Sequence, residues 1–268
     1  MGTAKRERQK AGRQSRRVEA EIAAAKSKRN RNLRNYGIYA AVIVAIVVGI
    51  VIFKGGGDDD DNASTTTTVP GSTVPTGTTV FAYGTTECPP ITGATEAKRA
   101  FTAPFKQCID VTKTYTALIK TSKGDLTVQF DPIKAPGTVN NFVSLALNKF
   151  FDGITCHRII PGFVVQCGDP AGTGSGGPGY KFADELPQAG EYKLCSLAMA
   201  NSGPNTNGSQ FFIISGPQGI ALDPNYSLFG QVTAGTDTTL KALDAAGTPG
   251  AGTPSEAILI QSVTITVS

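Results

Sequence analysis

Residues 156–185 read CHRIIPGFVVQCGDPAGTGSGGPGYKFADE, and residues 199–213 read MANSGPNTNGSQFFI. In the first stretch Pro161 and Gly162 separate two short runs, 155–160 and 163–167, that are rich in β-branched and aromatic residues. A turn pair between two such runs predicts a hairpin. Further strands are expected at 193–200, 210–215, 228–232 and 257–267, with a short helix over 236–245. Upstream, 115–121 and 125–130 alternate apolar and polar residues around Ser122, Lys123 and Gly124, which predicts a second hairpin. Pro136 then opens a run in which Val139, Phe142, Val143, Ala146 and Leu147 recur every three to four residues. That is helical spacing, and proline suits the first helical turn. Many short strands, two helices and glycine-rich loops point to an all-β-dominated antiparallel barrel with helices at its ends.

Composition agrees. Of 268 residues, 40% are hydrophobic, enough for a core, while 31 Gly and 16 Pro imply many turns and argue against a helical bundle. The single histidine, His157, excludes multi-His metal sites and leaves any His-dependent triad one candidate. Residues 172–177 (GTGSGG) match the dinucleotide pattern G-x-G-x-x-G, but Pro178 and Gly179 stand where a helix would have to begin. Without that helix no N-terminus faces a pyrophosphate, so the segment is read as a surface loop. No G-x-x-x-x-G-K-[ST] or G-x-S-x-G string occurs.

The two opening stretches closely resemble the cyclophilin-type peptidyl-prolyl isomerases, as do TVNNFVSLALNKFFDG at 138–153 and the pair Phe229-Gly230. The resemblance runs over about 115–268. It implies a closed, eight-stranded antiparallel barrel capped by two helices, and an enzyme that needs no metal or cofactor. An X-Pro amide isomerises slowly because C–N resonance must be broken. A catalyst for that step needs an apolar slot for the ring, donors that grip the flanking backbone, and a cation near the twisted amide. By this resemblance Arg158 is the electrostatic group, with Phe163 and Gln166 beside it as catalytic residues. The bland alternative for Arg158 is a salt bridge on the barrel rim. Phe163, Val164, Phe212 and Leu222 match the proline pocket; from pattern alone they would be core. Gln166, Asn201 and Gln210 match the polar groups that hold substrate, joined by the backbone of Ala200. Amides suit this because they donate and accept without a charge to desolvate.

The chain also departs from the family pattern. Val164 stands where many relatives have methionine, and Tyr226 where many have histidine. Cyclosporin-sensitive relatives usually carry a tryptophan near 220–222; here Ala221 is the nearest match, offset by an apparent one-residue insertion. His157 adjoins Arg158 and is read as structural.

Five cysteines fit an exported domain, since disulfides persist outside the cytoplasm. Cys88 and Cys108 bracket a loop without evident secondary structure and are expected to pair, for about 3 kcal/mol in the chain-entropy model. Cys156 and Cys167 are a second candidate pair. They face each other if Pro161 and Gly162 form a two-residue turn that sets Ile160 opposite Phe163, and a bulge would break that register. Cys195 reads as a small buried hydrophobe.

The N-terminal part has a different composition. Residues 1–35 hold twelve Lys and Arg against three Glu, a net +9, so with +4 overall the remainder carries −5. Residues 36–53, YGIYAAVIVAIVVGIVIF, are free of charge and long enough, at about 1.5 Å per residue, to span a bilayer. They are expected to be a single-pass signal anchor, and the basic block fixes the N-terminus in the cytoplasm. That block should touch anionic lipid headgroups, in preference to binding nucleic acid. Residues 54–80, rich in Gly, Asp, Thr and Pro, should be a disordered linker. A Cys-containing extension, 81–114, leads into the domain at 115–268. The expected function is a membrane-tethered, extracytoplasmic prolyl isomerase acting on proline-containing segments of exported proteins. A tethered proline-peptide-binding module that has lost turnover is the alternative, and intact Arg158, Gln166, Asn201 and Gln210 argue against it.

Overall fold

The computed structural model describes residues 81–268. The readings for the tail 1–35, the anchor 36–53 and the linker 54–80 lie outside the described residues. Among the described residues no helix is long and apolar enough to cross a membrane.

Strands β1 (Tyr115–Thr121) and β2 (Gly124–Phe130) form the expected hairpin, and alternate β1 residues Tyr115, Ala117, Ile119 and Thr121 are buried. Helix α1 (Pro136–Leu147) follows, with proline in its first turn. Then come β3 (Ile154–Thr155), β4 (Arg158–Ile160), β5 (Val164–Cys167), β6 (Ser196–Met199) and β7 (Phe211–Ile214). A single turn of helix, α2 (Pro217–Ile220), precedes β8 (Leu228–Ala234). The expected helix over 236–245 is a π-helical turn, Thr236–Leu240, running into α3 (Lys241–Ala245), and β9 (Leu259–Val267) closes the chain.

The strands make one antiparallel sheet of nine strands, in the order β3-β9-β1-β2-β8-β6-β7-β5-β4. Two expectations need correction. The barrel is neither eight-stranded nor closed: β3 and β4 are the two edges of the sheet and do not pair. The reason lies in the run 155–160, expected as one strand. It breaks at Cys156 and His157, so that Thr155 pairs with β9 while Arg158 to Ile160 pair with β5. Instead of a neighbouring strand, a loop serves the β4 edge: Ile159 N–H donates to the Gly252 carbonyl at 2.6 Å. The curled sheet is thus left with a seam that two residues of chain step across.

The hairpin register also differs. Ile160 faces Val164 and Arg158 faces Gln166, so the connection is the three-residue loop Pro161, Gly162 and Phe163. Cys156 has by then left the ladder and bonds to Cys167 even so, with Cα atoms 4.0 Å apart. Cys88 pairs with Cys108 as expected, and Cys195 is free and buried.

The core fills the inside of the curl. Phe142, Phe150, Phe151, Phe211 and Phe229 are among its largest fully buried side chains. Helix α1 is buried from Gly137 through Leu147, including its polar residues Thr138, Asn140, Asn141 and Ser144. An amphipathic helix should leave one face to water. Here the extension covers that face: Asn140 Oδ1 accepts the amides of Cys108 (2.6 Å) and Ile109 (3.2 Å), and its Nδ2 donates to the Lys106 carbonyl (2.9 Å).

Candidate active site

Strand period decides which residues meet. Arg158 lies opposite Gln166, Gln166 opposite Phe212, Val164 opposite Ile214, and Phe212 opposite Ala198. Cross-strand partners share a face, so these residues occupy one side of β4, β5, β7 and β6. Their sequence neighbours Ile159, Val165, Phe211, Ile213 and Leu197 point into the main core. The outward set forms a separate apolar cluster of Val164, Tyr192, Ala198, Phe212 and Ile214, bordered by Phe163, Ala200, Leu222, Tyr226 and Leu228. It makes an apolar seat on the face of the sheet opposite the main core, its central side chains buried and its border half-buried.

A polar chain runs along its rim. Arg158 Nη1 donates to Gln166 Oε1 (3.2 Å), and Gln166 Nε2 donates to Gln210 Oε1 (3.0 Å). Gln210 Nε2 in turn donates to the carbonyls of Gly174 (3.0 Å) and Gly176 (2.9 Å). Each amide is fixed by the one before it. Among the described residues Arg158 makes no ion pair, so it is not the salt-bridged rim arginine of the bland reading. Its Cζ lies 5.6 Å from the centre of the Phe163 ring, a cation–π contact that steadies the guanidinium without neutralising it.

Beside the apolar seat runs a groove of about 740 Å³. Residues 174–181 line one side of it, and Gln166, Ala200, Asn201, Ser202 and Gln210 line the other. Lys181 is the only charged side chain among the described residues that line it. Asn201 Nδ2 donates to the Asn225 carbonyl at 2.8 Å, tying this wall to the segment that carries Tyr226. Of the residues expected at the site, Arg158, Phe163, Val164, Gln166, Ala200, Asn201, Gln210, Phe212, Leu222 and Tyr226 come together. Ala221 does not join them: it caps α2, is exposed and belongs to neither the apolar cluster nor the groove lining.

Three contributors escaped sequence reasoning. Tyr192, buried in the loop before β6, donates its hydroxyl to the Tyr226 carbonyl (2.6 Å) and accepts the Tyr226 amide (3.0 Å). It thereby holds the Tyr226 ring edge-on to Phe212, with centroids 5.3 Å apart. Burial pushes the Tyr192 pKa up to about 12, which keeps the hydroxyl protonated. Asp169, fully buried, accepts the amides of Ala171 (2.7 Å), Thr173 (2.9 Å), Gly174 (2.6 Å) and Gly176 (3.1 Å). Burial works to raise its pKa, and those donors with the Thr173 hydroxyl outweigh it, so the carboxyl sits below its ordinary value. His157 is shifted down, chiefly by burial, with Asp169 pulling it up and Arg158 pushing it down again. Arg158 thus stands beside an imidazole whose protonation is disfavoured by burial. Third, Gly168 sits at φ +94° where a Cβ would collide with the Ser209 carbonyl, bringing the start of the loop against the chain before β7. The only sequence signal for any of these was the run of glycines.

The comparisons with known proteins agree with this geometry. The model for the family "Cyclophilin type peptidyl-prolyl cis-trans isomerase/CLD" matches residues 116–265. Peptidyl-prolyl cis-trans isomerase A of Mycobacterium tuberculosis is 42% identical over 169 residues, covering 57% of this chain and 92% of that relative. Peptidyl-prolyl cis-trans isomerase B of Streptomyces anulatus is 40% identical, covering 56% of this chain and 95% of the relative. A crystal structure of a Cryptosporidium parvum cyclophilin type peptidyl-prolyl cis-trans isomerase shares the fold with a TM-score of 0.53 at 32% identity, over 57% of this chain and 98% of that one. A crystal structure of the same protein in the presence of the dipeptide Ala-Pro gives 0.52 at 33% identity, over 56% and 98%. The chain therefore belongs to the cyclophilin-type peptidyl-prolyl cis-trans isomerases and is an enzyme of that class.

Proposed function

We propose that this isomerase is held at a membrane by residues 36–53 and acts outside the cytoplasm on X-Pro bonds of exported proteins as they fold, with Arg158 stabilising the twisted amide. The observation that carries the site reading is Arg158 itself: charged, unpaired by any carboxylate among the described residues, and aimed by Gln166 along the rim of an apolar seat. The proline ring rests on Val164 and Phe212 between Phe163, Leu222 and Tyr226. Gln166, Gln210, Asn201 and the backbone of Ala200 hold the flanking peptide. As the C–N bond twists, resonance is lost and the nitrogen lone pair localises. A guanidinium donor facing that nitrogen favours the twisted state over either planar one, which is catalysis by differential binding. No covalent intermediate is required. The Ala-Pro dipeptide named with the Cryptosporidium relative supports a proline-containing peptide as ligand.

The charge-free run at 36–53, the basic block before it and two disulfides, one in the extension and one in the domain, support an extracytoplasmic placement. A prolyl cis/trans exchange assay on the full-length chain tests the site: Arg158→Ala should lose turnover while still binding proline peptides. Undiminished turnover would remove Arg158 from the mechanism. Protease added outside intact cells should digest the domain, and protection would overturn the placement.

A further inference from the structure

The glycine-rich wall of the groove has a construction problem. Residues 172–179 include Gly172, Gly174, Gly176, Gly177 and Gly179, and glycine loses more backbone freedom on ordering than any other residue. Such a wall needs anchors outside itself. Asp169 and Gln210 hold its first half, as far as Gly176. The second half, Pro178 to Lys181, is held from behind by residues that precede the family match, which begins at 116. The Phe101 amide donates to the Pro178 carbonyl at 2.8 Å. At Gly179, with φ +98°, the Phe101 carbonyl fills the space a Cβ would need. The rings of Phe101 and Phe105 pack on Tyr180 at 6.5 and 6.4 Å between centroids, and Phe81 packs on Phe182 at 6.1 Å. Tyr180 completes the brace by donating its hydroxyl to Asn141 Oδ1 of α1 at 2.6 Å.

The extension is itself pinned. The Cys88–Cys108 disulfide closes it, Thr86 bridges Phe105, and Asn140 captures the backbone from Lys106 to Ile109. We propose that residues 81–114 are a positioning segment for the isomerase: through Phe101 and Phe105 they fix the far wall of the groove, and so set how tightly residues flanking the substrate proline are held. This rests on the reading of the groove as the substrate site. Phe101 touches no substrate. It acts through Pro178, Gly179 and Tyr180, so its loss should appear in KM for peptides long enough to enter the groove, with kcat left alone.

The test uses the full-length chain, exchange NMR on acetyl-Ala-Pro-amide and on a peptide with the same Ala-Pro flanked by two residues on each side, and amide hydrogen exchange. Phe101→Ala should raise KM for the long peptide about fivefold, leave its kcat and the short substrate unchanged, and speed exchange at residues 174–181. Phe101→Leu should restore most of the loss. The double variant Cys88→Ser, Cys108→Ser should move the same readouts in the same direction. Long-peptide KM that stays at the wild-type value in both variants overturns the proposal. So does a parallel fall in kcat for both substrates with exchange accelerated throughout the sheet, which would make the extension a general stabiliser. If wild type itself handles the two substrates with equal KM, the groove reading has failed, and the positioning role falls with it for that separate reason.

Discussion

The two walls of the groove are built in different ways. Gln166 and Ala200 stand on or just beyond strands β5 and β6, where ladder hydrogen bonds on both sides fix the backbone before any side chain is considered. Residues 174–181 have no ladder. Their amides and carbonyls end on Asp169, Gln210 and Phe101, three groups far apart in sequence. On the proposed mechanism the chemistry lies on the strand side, with Gln166 of this wall next to Arg158 and Phe212 of the seat, and that side owes its precision to the sheet. The loop wall supplies mostly backbone and owes its shape to a few side-chain contacts. Substitutions should therefore divide: those on the strand wall affect turnover, and those behind the loop wall affect stability or binding.

The sharpest test of that division is on the strand wall. Arg158→Ala removes a guanidinium that makes no ion pair among the described residues, so the fold should hold while kcat/KM falls by about a hundredfold or more, the scale of losing one preorganised electrostatic group. A matched thermal midpoint with collapsed exchange in the prolyl assay is the expected pair of results. A large loss of stability would mean that the two walls do not differ as described.

Behind the loop wall, Asp169→Asn should do the reverse. The buried carboxylate accepts four amides and a hydroxyl, and an amide cannot accept at both positions. Losing charge-assisted bonds of this kind costs about 2–3 kcal/mol, read as a lower urea midpoint. The pH dependence follows from the depressed pKa. The folded state resists protonation more than the unfolded chain does, so Asp169 contributes above its unfolded pKa and the contribution is lost as pH falls through the lower folded value. The variant should therefore lose less stability than wild type on acidification through that range.

The same contrast explains what could be read from the sequence. Period-two alternation located the β1–β2 hairpin, the runs flanking Pro161 and Gly162 located β4 and β5, and the family motif singled out Arg158, Gln166, Gln210 and Phe212, which the structure brings together. Local pattern could not show that 155–160 would break at Cys156 and leave the sheet open, because that depends on which edge each half finds. Nor could it place the turn within one residue, since a three-residue loop at 161–163 and a two-residue turn suit the same letters equally well. Nor could pattern show that Asn140 and Asn141 would be buried: the extension captures Asn140, while Gly208 and Tyr180 capture Asn141. Ala221 was placed at the seat by position in a motif, and the structure puts it at the end of α2.

Tyr192→Phe sharpens the comparison at a finer scale, on the strand side. It deletes one oxygen and leaves the Tyr226 carbonyl and amide without their shared partner. Unpairing such groups costs about 1–3 kcal/mol when water cannot replace the hydroxyl. Part of that cost should appear as freedom of the Tyr226 ring on Phe212, and so as an increase of about threefold in KM for proline peptides with kcat little changed. An unchanged KM would show that the seat does not depend on where Tyr226 is held.

The smallest expected effect lies where the two walls meet. His157 precedes Arg158 on the strand side, and its ring packs against Gly174 of the loop, 3.3 Å from where a Cβ there would stand. Both ring nitrogens are buried and find no hydrogen-bond partner among the described residues. Protonation would place a second cation beside Arg158 with nothing to accept its donors. Burial accordingly holds its pKa below the ordinary histidine value. In the unfolded chain the imidazole takes up its proton near pH 6.5, so the unfolded state binds more protons just below that pH and stability rises with pH there. The stabilisation is complete above the unfolded pKa and is lost as pH falls toward the folded one. Denaturant midpoints measured from pH 7.5 down to 5 should decline for wild type, and the decline should be shallower in His157→Gln, which has no proton to gain. Over the same range kcat should stay flat in wild type, because the proposed mechanism gives the imidazole no part in the chemistry. A kcat that tracked the midpoint would instead couple the imidazole to the chemistry and blur the division between the walls.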